Sequence, residues 1–276
     1  MNQRLALSLA VALAASAGPA LAQSDWTGFY IGGHAGGAEQ DDDRNEDVRF
    51  DTDLDGSFGD TVNTAAPANA FSPGFCGGAA NGPTPANGCR SNSDDKADDY
   101  GVRLGYDWQS GNFVYGVLGE YASGGVTDSV TAYSTTPAFY TLTRELESTW
   151  ALRGRAGFTF GDGDNLIYGT AGYAWADVKN DFATSNGVNT FTTNGDSNAK
   201  GAQYGLGYER RMGDNFTVGL EYLMSDLKDD EYRVRAQGPA PATNPFIRVN
   251  PNGTDFRRGN EDIETSSLRL TLNYRF

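Results

Sequence analysis

The chain has 276 residues, with 36 acidic against 21 basic side chains, a formal net charge of −15, 36 glycines, 15 phenylalanines and 14 tyrosines. That acidic balance argues against nucleic acid, which is bound through a basic footprint. After the first residues no apolar run approaches the roughly 20 residues of a spanning helix, so any membrane crossing must be made with strands.

Residues 1–22 read as a secretory signal. Arg4 lies in a short leading region, an apolar run covers 5–17, and Ala20-Leu21-Ala22 supplies the cleavage pattern. Export through the inner membrane follows, and residues 23–276 form the mature domain. Trp26 to Gly36 reads W-T-G-F-Y-I-G-G-H-A-G and predicts a first strand. An acidic stretch rich in Gly, Pro and Asn then occupies about 37–97, without a clean strand pattern.

The next periodic stretches come in pairs, each joined by a very short polar turn. Strands over 98–109 and 113–124 flank Ser110-Gly111-Asn112. Strands over 147–160 and 165–177 flank Gly161-Asp162-Gly163-Asp164. Strands over 202–211 and 215–225 flank Met212-Gly213-Asp214. Gly, Asp and Asn between alternating runs are hairpin signals. The last stretch, 263–276, places Leu268, Leu270, Leu272, Tyr274 and Phe276 on one face and Ser267, Arg269, Thr271, Asn273 and Arg275 on the other. Tyr274 and Phe276 give this closing strand an aromatic end.

These strands number eight, with short turns on one side and long connections (37–97, 125–146, 178–201 and 226–262) on the other. That asymmetry predicts an all-β, eight-stranded, antiparallel, up-and-down transmembrane β-barrel, with periplasmic turns and extracellular loops. The alternating faces decide between a membrane barrel and a soluble one. In the second strand Tyr100, Val102, Leu104, Tyr106 and Trp108 oppose Asp99, Arg103, Asp107 and Gln109. In the fourth, Trp150, Leu152, Ala156, Phe158 and Phe160 oppose Thr149, Arg153, Arg155 and Thr159. Charged residues on the second face of so many strands do not fill a dry soluble core, so the apolar face is assigned to lipid. Aromatics near the turns (Trp108, Phe113, Phe158, Phe216) and others a membrane's height away (Tyr121, Trp150, Trp175, Tyr222) are expected to form two interfacial girdles.

The opening W-T-G-F-Y-I-G-G-H-A-G, the recurring G-V-R-L-G-Y-D-W, G-T-A-G-Y-A-W and G-L-G-Y-E-R, and the closing L-R-L-T-L-N-Y-R-F resemble the opacity-type family of small outer-membrane barrels. The resemblance spans the mature chain apart from parts of the loops, notably about 60–96. It implies a cell outer membrane location in a Gram-negative envelope. It also implies roles as surface proteins, adhesins or envelope-stabilising proteins rather than enzymes. Expected partners are outer-membrane lipid and lipopolysaccharide, the barrel assembly machinery during insertion, and host or surface ligands at the extracellular loops.

Four sets of residues carry candidate chemistry. Arg103, Glu120, Arg153, Arg155, Glu221 and Arg269 all point inward at similar heights and are expected to share one layer. An eight-stranded interior is just wide enough for side chains to fill, and buried charges must be paired. An interlocked ion-pair plug is therefore expected, with a selectivity filter in a narrow pore as the alternative. Asp51, Asp53 and Asp55, followed by Gly56, reproduce the first half of an EF-hand calcium loop. The twelfth position is Val62 rather than Glu, so a solvated acidic loop is preferred to a calcium site, with Asp60 a substitute ligand. No other cofactor is expected. Cys76 and Cys89, the only two cysteines of an exported chain, are expected to form a disulfide that closes an otherwise shapeless lobe.

His34 is the only histidine. Without a neighbouring Ser or a G-x-S-x-G motif it reads as a hydrogen-bonded lumen residue, not as part of a hydrolytic triad. Arg233, Arg235, Arg257 and Arg258 either hold lipopolysaccharide phosphates or pair with the acidic residues around them.

Overall fold

A computed structural model describes residues 25–40, 46–90 and 96–276. The signal-sequence assignment lies outside the described residues. The described residues form thirteen strands: β1 (Gly28–Gln40), β2 (Val48–Asp51), β3 (Gly74–Gly77), β4 (Lys96–Ser110), β5 (Phe113–Ser134), β6 (Ala138–Phe160), β7 (Asn165–Thr184), β8 (Thr190–Thr193), β9 (Ser197–Met212), β10 (Phe216–Lys228), β11 (Val234–Gln237), β12 (Thr254–Arg258) and β13 (Asp262–Arg275).

Eight of them close into an antiparallel ring in the order β1, β4, β5, β6, β7, β9, β10, β13. Closure is visible at Tyr30 of β1, which pairs with Gly105 of β4 on one side and Arg275 of β13 on the other. The three short turns fall where the sequence places them. Gly111, Gly161 and Gly213 each take a positive φ there (61°, 60° and 75°), the backbone region that glycine enters without a steric penalty.

The wall is apolar outside and polar inside. Leu268, Leu270 and Leu272 are 52%, 64% and 54% exposed, whereas Arg269 and Asn273, which alternate with them, are 5% and 1% exposed. A water-soluble fold would bury these leucines. Only hydrocarbon makes the arrangement favourable, because the outer face is then matched to lipid and every strand edge is paired. The girdles form as expected. Tyr121 packs on Trp150 with ring centroids 4.6 Å apart, and near the turns Phe113 meets Phe158 (5.3 Å) and Phe216 meets Tyr274 (5.3 Å).

The outer side departs from expectation. Residues 125–146 are not a loop: β5 and β6 run unbroken through them to a three-residue turn. Their upper halves are rich in Val, Thr, Tyr and Phe, which favour strand. They pack against a second, four-stranded sheet in the order β2-β12-β11-β8, built from the segments read as long loops. Val48, Phe50, Val130, Tyr140, Leu142, Val234 and Phe256 share one buried core between the two layers. The connections therefore make a folded cap.

One extra residue makes the cap possible. Up to Ser148 the even positions of β6 face lipid, as Trp150 and Leu152 do (both 60% exposed). Ser148 pairs with Asp177 but Leu146 pairs with Val178, so Glu147 is a bulge with no counterpart on β7. Such an insertion moves every later side chain to the opposite face. Arg144, Leu142 and Tyr140 accordingly turn inward, at 2%, 0% and 3% exposure.

The cysteine lobe is ordered as well. Cys76 and Cys89 form the disulfide, and β3, which carries Cys76, adds to the upper half of β5 with Cys76 opposite Thr131.

Candidate functional site

The lumen is filled from bottom to top in distinct levels. At the periplasmic end Trp26 is completely buried and donates its indole N–H to the Gly163 carbonyl at 2.7 Å. The guanidinium of Arg275 lies 5.0 Å from the Trp26 ring and that of Arg211 5.3 Å from it, geometry suited to cation–π attraction.

Above Trp26 lies a first charged level. Arg155 donates through Nε to Asp107 Oδ1 at 2.8 Å and through Nη1 to Glu209 at 2.7 Å, while Arg275 reaches Asp107 at 2.7 Å. The register explains the meeting of Arg155 and Asp107. Both strands flank Gly116, which pairs with Asp107 on one side and Arg155 on the other. A Cβ at Gly116 would stand 2.1 Å from Asp107 Oδ1, so glycine is what lets the acid and the base touch. This corrects the sequence reading, which placed Arg155 in the layer above.

The mid-barrel layer contains the other five residues expected there. Arg103 pairs directly with Glu120 across β4–β5, and Glu221 with Arg269 across β10–β13. Arg103 bridges Glu120 (2.8 Å) and Glu221 (2.9 Å), Arg153 spans the same two carboxylates (2.7 and 3.2 Å), and Arg269 reaches Glu120 at 2.7 Å. Asp99, His34 and Tyr168 complete the layer. Arg269 donates to Asp99 (2.6 Å), His34 Nε2 lies 3.2 Å from Asp99, and the Tyr168 hydroxyl donates to Glu221 (2.8 Å).

Over the two levels five arginines face five carboxylates. Arg103, Arg153, Arg155 and Arg269 each meet at least two anions and Arg275 meets one, the kind of pairing under which buried charge is tolerated. The partners Asp99, Asp107, Glu209 and Arg275 were not among the site residues expected from sequence, although the alternation that exposed the others already put them on the inner face. His34 is a lumen residue, and its polar neighbours among the described residues are the carboxylates of Asp99 and Glu120.

Above the charges the bore has apolar and polar walls, with a cavity of about 50 Å³ beside Gln203, Ser225 and Ser267. Ala151, Ala174, Ala176, Val178, Leu227 and Ile263 cluster there. At the junction with the cap sits a further ionic group. Arg144 donates through Nε to Asp128 at 2.8 Å, and Arg258 Nη2 meets Asp128 at 2.6 Å and also Glu46. Burial is the chief force on both acids. It pushes Glu46 up to about 7, whereas Arg258 and Arg144 outweigh it at Asp128 and hold that carboxyl below its ordinary value. Arg258 is thus an internal residue, not one of a surface set. Arg235 is engaged by Asp255 through two hydrogen bonds (2.6 and 2.7 Å) and Arg257 by Glu261 (2.7 Å), so ordinary pairing accounts for both.

In the acidic loop Asp51, Asp53 and Asp60 bring carboxylate oxygens within 4.8 Å of one another. Asp55, the third acid of the sequence pattern, is not of this group, and its Oδ1 instead accepts the Ser57 N–H at 2.7 Å. Asp51 accepts N–H groups from Leu54, Asp55 and Gly56, and Asp60 accepts from the Thr52 N–H and hydroxyl.

The family model described as "Outer membrane protein beta-barrel domain" matches residues 7–276. The chain belongs to that family. Among curated relatives of this barrel, it is 31% identical over 128 residues to the 31 kDa outer-membrane immunogenic protein of Brucella melitensis, covering 46% of this chain and 52% of that one. It is 32% identical over 133 residues to the 22 kDa outer membrane protein of Rhizobium leguminosarum bv. viciae, covering 48% and 53%. The chain thus spans about half the length of the curated relatives it matches. Solved barrels that resemble it include Ail, the attachment invasion locus protein of Yersinia pestis (11% identity, 90% of this chain and 99% of that one, TM-score 0.35). The outer membrane protease OmpT of Escherichia coli is another (11%, 93% and 99%, TM-score 0.37). The family and the lipid-matched wall together assign the barrel to the outer membrane.

Proposed function

We propose that this outer-membrane barrel acts as a structural and surface-interaction protein: the barrel is an anchor, and the folded cap is the part that meets partners. The observation that carries the reading is the filled lumen. Arg103 and Arg153 are each 1% exposed and Glu221 is 0% exposed, with Trp26 below them. A permeation path would have to open two unlike barriers in series, one ionic and one aromatic.

The same reading assigns no reaction to the protein. His34 is buried inside the charged layer against Asp99 and Glu120. The contacts implied by an anchored barrel are lipid and lipopolysaccharide at the wall, the assembly machinery during insertion, and surface ligands at the cap.

Planar-bilayer recording of the refolded protein beside Arg269→Ala tests the proposal. The anchor reading expects no stable unitary openings in the wild type. Reproducible openings whose ion selectivity changes in the variant would make the barrel a narrow diffusion channel for small solutes and overturn it.

A further inference from the structure

The apex of the cap holds a cavity of about 210 Å³ where the β5–β6 turn, the β7–β8 connection and the segment around Asn244 meet. Three rings of the cap core, each only 3–4% exposed, lie at its floor. Phe71, Tyr140 and Phe246 pack edge to face with centroids 5.3–5.9 Å apart. Eight of the 17 residues that line it are Ser, Thr or Asn, and among the described residues none is charged. In a chain that is 21% charged this stands apart. Other surface hollows carry Asp47, Arg49 and Asp60, or Arg233, Arg235 and Asp255, or Asp98, Glu145 and Glu147.

The rim is built before any ligand arrives. Asn189 Oδ1 accepts from Asn186 Nδ2 and from Asn244 Nδ2, both at 3.1 Å, and its own Nδ2 donates to the Gln237 carbonyl at 3.0 Å. One amide thus ties three chain segments together. The Tyr140 hydroxyl accepts from Asn186 Nδ2 at 3.0 Å and is also hydrogen-bonded to the Ser134 side chain. Burial pushes that phenol up, so the proton is retained at neutral pH. Rigid amphipathic rings beside amide and hydroxyl groups suit a ligand with both an apolar face and many hydroxyls.

We propose that this cavity is a subsite for one neutral hexose unit of a glycan presented at the cell surface. A pyranose ring offers C–H faces to the aromatic floor and hydroxyls to the Ser, Thr and Asn rim. The lack of charge selects against sialylated, uronate and phosphorylated sugars, whose charge would be desolvated without a partner. The inference deepens the surface-interaction reading and rests on it for its biological setting.

The test is saturation-transfer-difference NMR on the full chain refolded in a zwitterionic detergent, since glucoside and maltoside detergents carry the probed group themselves. Maltose and lactose are the neutral probes and glucuronate the charged one. The variants are Thr136→Trp, on the exposed turn, and Gly187→Trp, where a Cβ meets nothing within 4 Å. At least one neutral disaccharide is expected to bind with a dissociation constant of about 1 mM, and each tryptophan to weaken that binding tenfold or more.

Three results would each overturn the proposal: no transfer from either neutral sugar, equal binding by the variants, or glucuronate binding as well as lactose. Competition by polysaccharide released from the bacterium's own lipopolysaccharide would assign the glycan to its own envelope. Failure to compete, with maltose or lactose still bound, would assign it to a foreign surface. Conductance is measured without sugar, so failure here leaves the anchor reading standing, and a conducting barrel leaves the cavity to be judged on binding alone.

Discussion

Arg258 and Asp128 stand 130 residues apart in the chain, yet Arg258 Nη2 lies 2.6 Å from Asp128 Oδ2. The contact joins the cap sheet to the hairpin that rises from the barrel, and both residues are buried. Removing one member of a buried pair leaves an uncompensated charge at a cost of about 3–5 kcal/mol. Arg258→Ala is therefore expected to expose the cap to limited proteolysis while the barrel itself stays folded, its migration in a gel still shifting on heating. An unchanged cleavage rate would mean that the apolar core alone holds the cap.

The neighbouring acid gives the cap a pH response of definite sign. Glu46 is raised from its ordinary 4.5 to about 7 when folded. A raised carboxyl contributes stability that is complete below its unfolded value and lost as pH climbs through its folded one. Hydrogen exchange in β12 and the upper half of β5 is thus expected to quicken between pH 5 and 8 beyond the chemical trend, and Glu46→Gln to flatten that increase. Parallel curves for variant and wild type would sink the assignment.

Insertion of one alanine between Leu146 and Glu147 tests the bulge. With a second extra residue the positions above it would revert to the barrel's phase, sending Leu146, Arg144, Leu142 and Tyr140 outward. The expected outcome is a barrel that still inserts but whose cap is protease-sensitive. A protected cap in the insertion variant would show that register is reset elsewhere.

The lumen offers a graded series. Arg269→Ala leaves Asp99 and Glu120 short of a cation, and Glu120→Gln leaves three arginines sharing fewer anions. Each is expected to lower the urea midpoint of unfolding in detergent by an amount corresponding to several kcal/mol. Gly116→Ala is expected to do the same by a different route. Its Cβ would sit 2.1 Å from Asp107 Oδ1 and 2.6 Å from the Tyr106 carbonyl oxygen, so the wall has to shift.

For the acidic loop, calorimetric titration with calcium of wild type beside Asp53→Asn/Asp60→Asn is expected to give superimposable traces. Asp51 spends its oxygens on three backbone N–H groups, and Asp53 and Asp60 are exposed. Saturable heat lost in the variant would establish a metal site.

The membrane-spanning half of the molecule could be read in the sequence because its determinants are local. A period of two, glycine at the positive-φ turns, aromatics at two heights and arginine alternating with leucine are properties of single strands, and lipid requires all of them at once. Register then put Arg103 beside Glu120 and Glu221 beside Arg269. What only the tertiary structure decided depends on neighbours distant in the chain. Arg155 left its expected layer because Gly116, on the intervening strand, opened a path to Asp107. Arg258 turned inward because Asp128 and Glu46 wait on other segments. The long connections became a cap because one unpaired residue, Glu147, reversed the faces of β6. A bulge is defined against a partner strand, and nothing in the stretch Glu145-Leu146-Glu147-Ser148 itself marks where that partner skips a residue.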